Sequence, residues 1–122
     1  MAKEKYAIDF VDIKGKRTVW NQASYKEHAK RHPELNASYY PTKIKDAKND
    51  PVVIMKSYTD KDCLCYYYFE FALNNKPRYT KLVVDTSDPR KHKIRTSFTI
   101  NKIQELKYSK PIWTKPGYET KK

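Results

Sequence analysis

A chain of 122 residues with 26 Lys and Arg against 14 Asp and Glu, a formal charge of +12, has room for one modest core and attracts polyanions. Its two glycines are too few for a P-loop or a dinucleotide-binding turn, and no apolar run reaches the roughly 18 residues of a membrane span. Eleven tyrosines against four phenylalanines and two tryptophans give much of the apolar material a polar tip, which suits surfaces shared between core and binding site.

The opening "MAKEKYAIDF" lacks the apolar stretch of a secretory signal. In "YAIDFVDI" (6–13) Tyr6, Ile8, Phe10 and Asp12 alternate with Ala7, Asp9, Val11 and Ile13; "KGK" then offers a turn into "RTVWN" (17–21), so a hairpin is predicted. A short helix follows. Ser24 and Glu27 spell S-x-x-E, a capping box in which each side chain satisfies an orphan amide, and Pro33 ends the segment at His32. A second helix is predicted from "YPTKIKDAKND", with Pro41 in its first turn, Ile44 and Ala47 or Lys48 on one face, and Asp50-Pro51 closing it.

From there the pattern turns to strands: 52–58, 62–73, 78–86 and 92–100, separated by the short polar turns "TDKD", "NNKP" and "SDPRK". These predict an antiparallel meander. Strands, two short helices and then four strands imply an α+β fold, two short helices packed on one face of a mainly antiparallel curved sheet, with the other face partly open. One domain over 1–108 is expected, followed by a basic, proline-containing tail over 109–122 that is extended, docks Trp113 on the body and ends in disorder. Cys63 and Cys65, one residue apart in a strand, share a face and would be strained as a bridge; reduced thiols in a cytoplasmic setting are expected.

On the first helix Tyr25, His28, Ala29 and His32 line one stripe, flanked by Lys26, Lys30 and Arg31. Three readings fit the histidines. H-x-x-x-H with "CLC" could hold zinc and make an interaction module, but Ala29 stands where the familiar zinc-enzyme helix needs Glu, and C-x-C in mid-strand is not the usual zinc knuckle. Hydrogen-bonded packing histidines are the second reading. The third is acid–base work on a phosphodiester: cleaving RNA through its 2′-hydroxyl needs a base, an acid and cations, with no metal or other cofactor.

"KIRTSFTI" offers the rest of such a site. Strict alternation puts Thr96 on one row with Ile94, Phe98 and Ile100, and Arg95, Ser97 and Thr99 on the other. Thr96 then bonds the helix, contacts a phosphate, or simply packs as a β-forming residue. His92, in a charged turn, reads as solvated. "CYYYFEF" reads as a central strand whose Tyr66 or Tyr68 could stack on a base.

The string "HAKRHPEL", a helix closed by "NDP", a tyrosine-rich strand, "KLVVDT" and "IRTSF" occur in that order over roughly residues 6–105. In this they resemble the phage- and mobile-element-associated nucleases of the barnase–EndoU–colicin–RelE-like superfamily. His28, Arg31, His32 and Pro33 stand in that family's H-x-x-x-R-H-P-type motif; Ile94, Thr96, Ser97 and Phe98 stand in its final strand motif. Asp50 within "NDP" and Ser97 in place of Ala depart from the pattern. The resemblance implies a metal-independent endoribonuclease acting as a toxin or effector on tRNA or mRNA, with His28 and His32 as acid–base residues and Thr96 at the scissile phosphate. Arg31, Lys43, Arg95, Ser97 and Tyr68 are the expected phosphate and RNA contacts, and an acidic inhibitor is the expected protein partner. The reading from another class is a non-catalytic nucleic-acid-binding or regulatory domain of the same fold.

Overall fold

A computed structural model describes residues 5–118. The strands are β1 (Tyr6–Val11), β2 (Arg17–Asn21), β3 (Val53–Lys56), β4 (Cys63–Leu73), β5 (Lys76–Asp85), β6 (Lys91–Ile100) and β7 (Trp113–Thr114). The helices are α1 (Gln22–Arg31) and α2 (Tyr40–Asn49), with 3₁₀ turns at Pro33–Asn36 and Gln104–Lys107. The fold is α+β. Two helices lie on a seven-stranded sheet ordered β1-β2-β6-β5-β4-β3-β7, antiparallel throughout except where β2 runs parallel to β6.

The predicted meander is β3 to β6, and its β4–β5 turn is made by Asn74 and Asn75, both with positive φ (52° and 64°) as a type I′ hairpin turn requires. The parallel β2–β6 pair was not predictable from local pattern. It joins residues 17–19 to residues 91–93, and it decides where the site lies.

Strand β2 passes into α1 without a loop. The capping box is therefore not used: the Asn21 side chain accepts from the amides of Ala23 and Ser24, while Ser24 Oγ accepts from Trp20 Nε1 at 3.1 Å. At the other end His32 is the C-cap before Pro33, as read from the sequence. Helix α2 carries Pro41 in its first turn and buries Tyr40, Ile44, Ala47 and Lys48, an i, i+4, i+7, i+8 stripe.

Under the helices Ile8, Trp20, Leu35, Tyr40, Ile44, Tyr66, Leu82, Val84 and Ile94 form one core. The opposite face is less open than expected. Val53, Met55, Cys63, Cys65, Tyr67, Tyr79 and Val83 are covered there by Leu106 with Ile103 and Tyr118. The stretch read as a tail thus supplies β7 and part of a second core; Trp113 lies in β7, pairs with Ile54 and stays 43% exposed. The disorder expected at the chain's end concerns residues 119–122, outside the described ones. Both cysteines are free and buried on that second face, and burial pushes the Cys65 thiol up to about 12. Among the described residues no helix is long and apolar enough to cross a membrane.

His92 is not a solvated turn residue. It sits in β6 opposite Thr18, half-buried, and its Nδ1 has no hydrogen-bond partner among the described residues. Burial first, then the ammonium groups of Lys48 and Lys16, hold its pKa at about 4 against the opposing pull of Asp12 and Asp85. Unfolding returns the imidazole to its ordinary 6.5, so between pH 6.5 and 4 the unfolded chain binds a proton that the folded one refuses. Stability therefore falls as pH drops through that window. Thermal melts at pH 7 and pH 5.5 are expected to show a smaller drop for His92→Gln than for the native chain; equal drops would contradict this account.

Candidate active site

Past Lys93, β6 loses its β2 neighbour: Trp20 and Asn21 pair with β1 alone, and β2 then passes into α1. The helix then runs beside the free edge of β6. One helical turn, about 6 Å for four residues, nearly matches two strand residues, about 6.6 Å. Hence His28 meets Thr96, with Nδ1 and Oγ1 3.3 Å apart, and His32 stacks on Phe98 at 5.4 Å between ring centroids. The Ser24 hydroxyl fixes the Trp20 indole, whose ring stands 5.0 Å from Tyr25 and 5.7 Å from His28 and forms the wall behind the imidazole.

A bulge completes the arrangement. Val83 pairs with Thr96 and Val84 with Ile94, so Arg95 is an extra residue in β6. This corrects the strict alternation expected for the strand. Ile94 and Ser97 both fall on the helix-covered face beside Val84 and Leu82, while Thr96, Phe98 and Ile100 fall on the other. Arg95 is no longer opposed to Thr96: both line a cleft of about 470 Å³, together with His28, Ser24, Lys93 and Asp60. Arg95 and Lys93 are exposed and form no ion pair among the described residues.

Arg31 Nη2 also lies 3.3 Å from His28 Nδ1. A guanidinium only donates, so Nδ1 is the acceptor and the neutral ring carries its proton on Nε2. Burial lowers the His28 pKa below 6.5; the nearby charge of Arg31, and after it that of His32, add to the effect, and Glu27 opposes it. The imidazole is thus neutral at neutral pH with a lone pair aimed at a hydroxyl. Both contacts are long for hydrogen bonds, so a ligand hydroxyl can replace either one.

Other expected contacts lie elsewhere. Ser97 is fully buried, bonded to the Lys81 carbonyl at 2.9 Å and the Tyr40 hydroxyl at 3.2 Å, and cannot reach a phosphate. Lys43 pairs with the buried Glu70 carboxylate and lies over the Tyr39 ring at 4.9 Å, outside the cleft. Tyr66 is buried and Tyr68 packs against the core under the helices, so neither offers an open stacking face. His32 does not line the cleft; its Nδ1 is 3.5 Å from Glu34. Lys93 and Asp60 were missed, since their place in the cleft follows from the β2–β6 pairing and the β3–β4 loop. Among the described residues no three His, Cys, Asp or Glu side chains converge to hold a metal ion. No protein family, curated protein or solved structure matches the chain.

Proposed function

We propose that the chain is a metal-independent endoribonuclease, and the observation that carries this is the His28–Thr96 contact in a cleft lined by Lys93 and Arg95, with Arg31 against His28. His28 Nδ1 takes the proton of the 2′-hydroxyl as that oxygen attacks phosphorus. The bond to the 5′-oxygen breaks and the leaving oxygen takes its proton from solvent, since His32, stacked on Phe98 and beside Glu34, does not line the cleft. Arg31 and Arg95 bear on the phosphoryl oxygens and Thr96 donates to one of them. The products are a 2′,3′-cyclic phosphate and a 5′-hydroxyl. The sequence resemblance to the barnase–EndoU–colicin–RelE-like nucleases, and the toxin or effector role it implies, point the same way.

A second reading has one observation in its favour. The Arg31–His28 contact makes the imidazole a poorer base, which a purely binding surface would tolerate and a nuclease must overcome. Incubation of the full chain with tRNA and a structured mRNA in EDTA decides between them. Discrete fragments with cyclic phosphate ends are expected; intact RNA that shifts in a gel, with a steep salt dependence, would leave a binding domain.

A further inference from the structure

Strand β4 pairs with β3 only over Leu64–Tyr67, and β5 pairs with β6 no further than Tyr79. Residues 70–78 therefore project beyond the sheet as a two-stranded arm closed by the Asn74-Asn75 turn. Phe71 faces Arg78 and Leu73 faces Lys76 directly across the arm, so these four side chains share one side. Phe71 is 48% and Leu73 65% exposed, and the Arg78 guanidinium sits 6.0 Å over the Phe71 ring. The buried Glu70 carboxylate, 3.6 Å from Arg78 Nε, holds that guanidinium from below. At the arm's base is a groove of about 570 Å³, in which Lys76 and Arg78 are the charged lining residues and Thr99 and Asn101 of the β6 end form the far wall.

We infer that this arm and groove bind an unpaired stretch of RNA flanking the scissile bond. The inference takes RNA as the polyanion from the reading above. Exposed apolar residues on a projecting ribbon have no fold-stabilising task, and cations placed beside an aromatic ring fit a base on the ring and a phosphate on the charge. A duplex presents its phosphates but keeps its bases stacked, leaving Phe71 and Leu73 without a partner. The groove's lining cations, with no carboxylate among its lining residues, favour a polyanion over a basic or neutral peptide. Thr99 lies three residues beyond Thr96 on β6, about 10 Å along the strand and on its opposite face, so a flexible single strand that passes round the β6 edge left open by β2 reaches both places, as a stiff duplex does not.

Binding is tested apart from cleavage by using a 2′-O-methyl RNA 12-mer, which has no attacking hydroxyl, with the matching duplex beside it. Anisotropy titrations of the full chain are expected to show Phe71→Ala weakening the single strand about fivefold or more, and Phe71→Tyr restoring it. Lys76→Ala is expected to reduce the salt slope by about 0.7 for the single strand. Duplex binding should respond to none of these. Single-strand binding unchanged in all three variants would overturn the inference, as would equal loss with the duplex, or arm-dependent binding of polyglutamate in place of RNA. A chain that binds through the arm but cuts nothing would leave the inference standing and remove the nuclease reading; cutting with arm-independent binding would do the reverse.

Discussion

Asp12→Ala is expected to destabilise the fold by about 3–5 kcal/mol, a large share of the roughly 5–15 kcal/mol typical of a domain. Asp12 and Lys48 form an ion pair whose side chains are 6% and 2% exposed. The same carboxylate accepts from the amides of Lys14 at 3.0 Å and Lys16 at 2.8 Å, tying the β1–β2 turn to α2. Alanine leaves the Lys48 ammonium buried without its counter-ion and two turn amides without their acceptor, and each carries a desolvation cost. Lys48→Met should cost less, because Asp12 keeps two backbone donors and methionine fills the space beside the Tyr66 ring.

The pair also has a pH signature. Burial raises the Asp12 pKa, but the bonds from Lys48, Lys16 and Lys14 outweigh it and the carboxyl lies below its usual 3.8. Burial pulls Lys48 down, and the Asp12 carboxylate against it opposes that shift. Asp12's stabilisation is therefore complete above about pH 4 to 5 and lost as pH falls through the lowered folded value. Urea unfolding at pH 7 measures the mutational cost directly. A loss under about 1 kcal/mol for Asp12→Ala would contradict the account.

His28→Ala is expected to lower the RNA-cleavage rate by about 10²–10⁴-fold, the usual contribution of a positioned base, with little change in melting temperature because the ring is only half-buried. In the native chain activity should rise as the imidazole loses its proton, through a pKa below 6.5, and then hold level. Arg31→Met removes one of the positive charges that disfavour the imidazolium, so this acid limb should move to higher pH while the maximal rate falls. The limb stops short of a complete return, because burial, the larger cause, remains. An acid limb that does not move in Arg31→Met would detach Arg31 from the chemistry of His28.

How far the sequence carried is clearest at particular residues. Pro33, Pro41 and Asp50-Pro51 bounded the two helices because proline acts through local geometry, and the polar turns bounded β3 to β6 for the same reason. The S-x-x-E signal failed because β2 enters α1 directly, placing Asn21 at the cap and leaving Ser24 to hold Trp20. His28 and Thr96 were legible as site candidates by residue type, but their contact depends on the parallel β2–β6 pairing, a long-range feature that no local periodicity encodes. Arg95 was put on the wrong face since a bulge is invisible to period-two counting; the same bulge aligned Ser97 with Leu82 and buried it. The string "CYYYFEF" holds both buried and open rings, which period-two reading did not tell apart. The tyrosines sit in or against the cores, and the open rings are Phe69 and Phe71 beyond the end of β3.

The central claim is attack by a 2′-hydroxyl whose proton goes to His28, and substrate chemistry tests it most directly. A short RNA cut by the native chain in EDTA would be compared with the same strand bearing a single 2′-deoxy nucleotide on the 5′ side of the cut. The account predicts that cleavage at that bond stops while neighbouring cuts continue, and that the all-ribose product ends in a 2′,3′-cyclic phosphate. Cleavage that survives the deoxy substitution would contradict it and would point to attack by water, with the His28–Thr96 pair in another role.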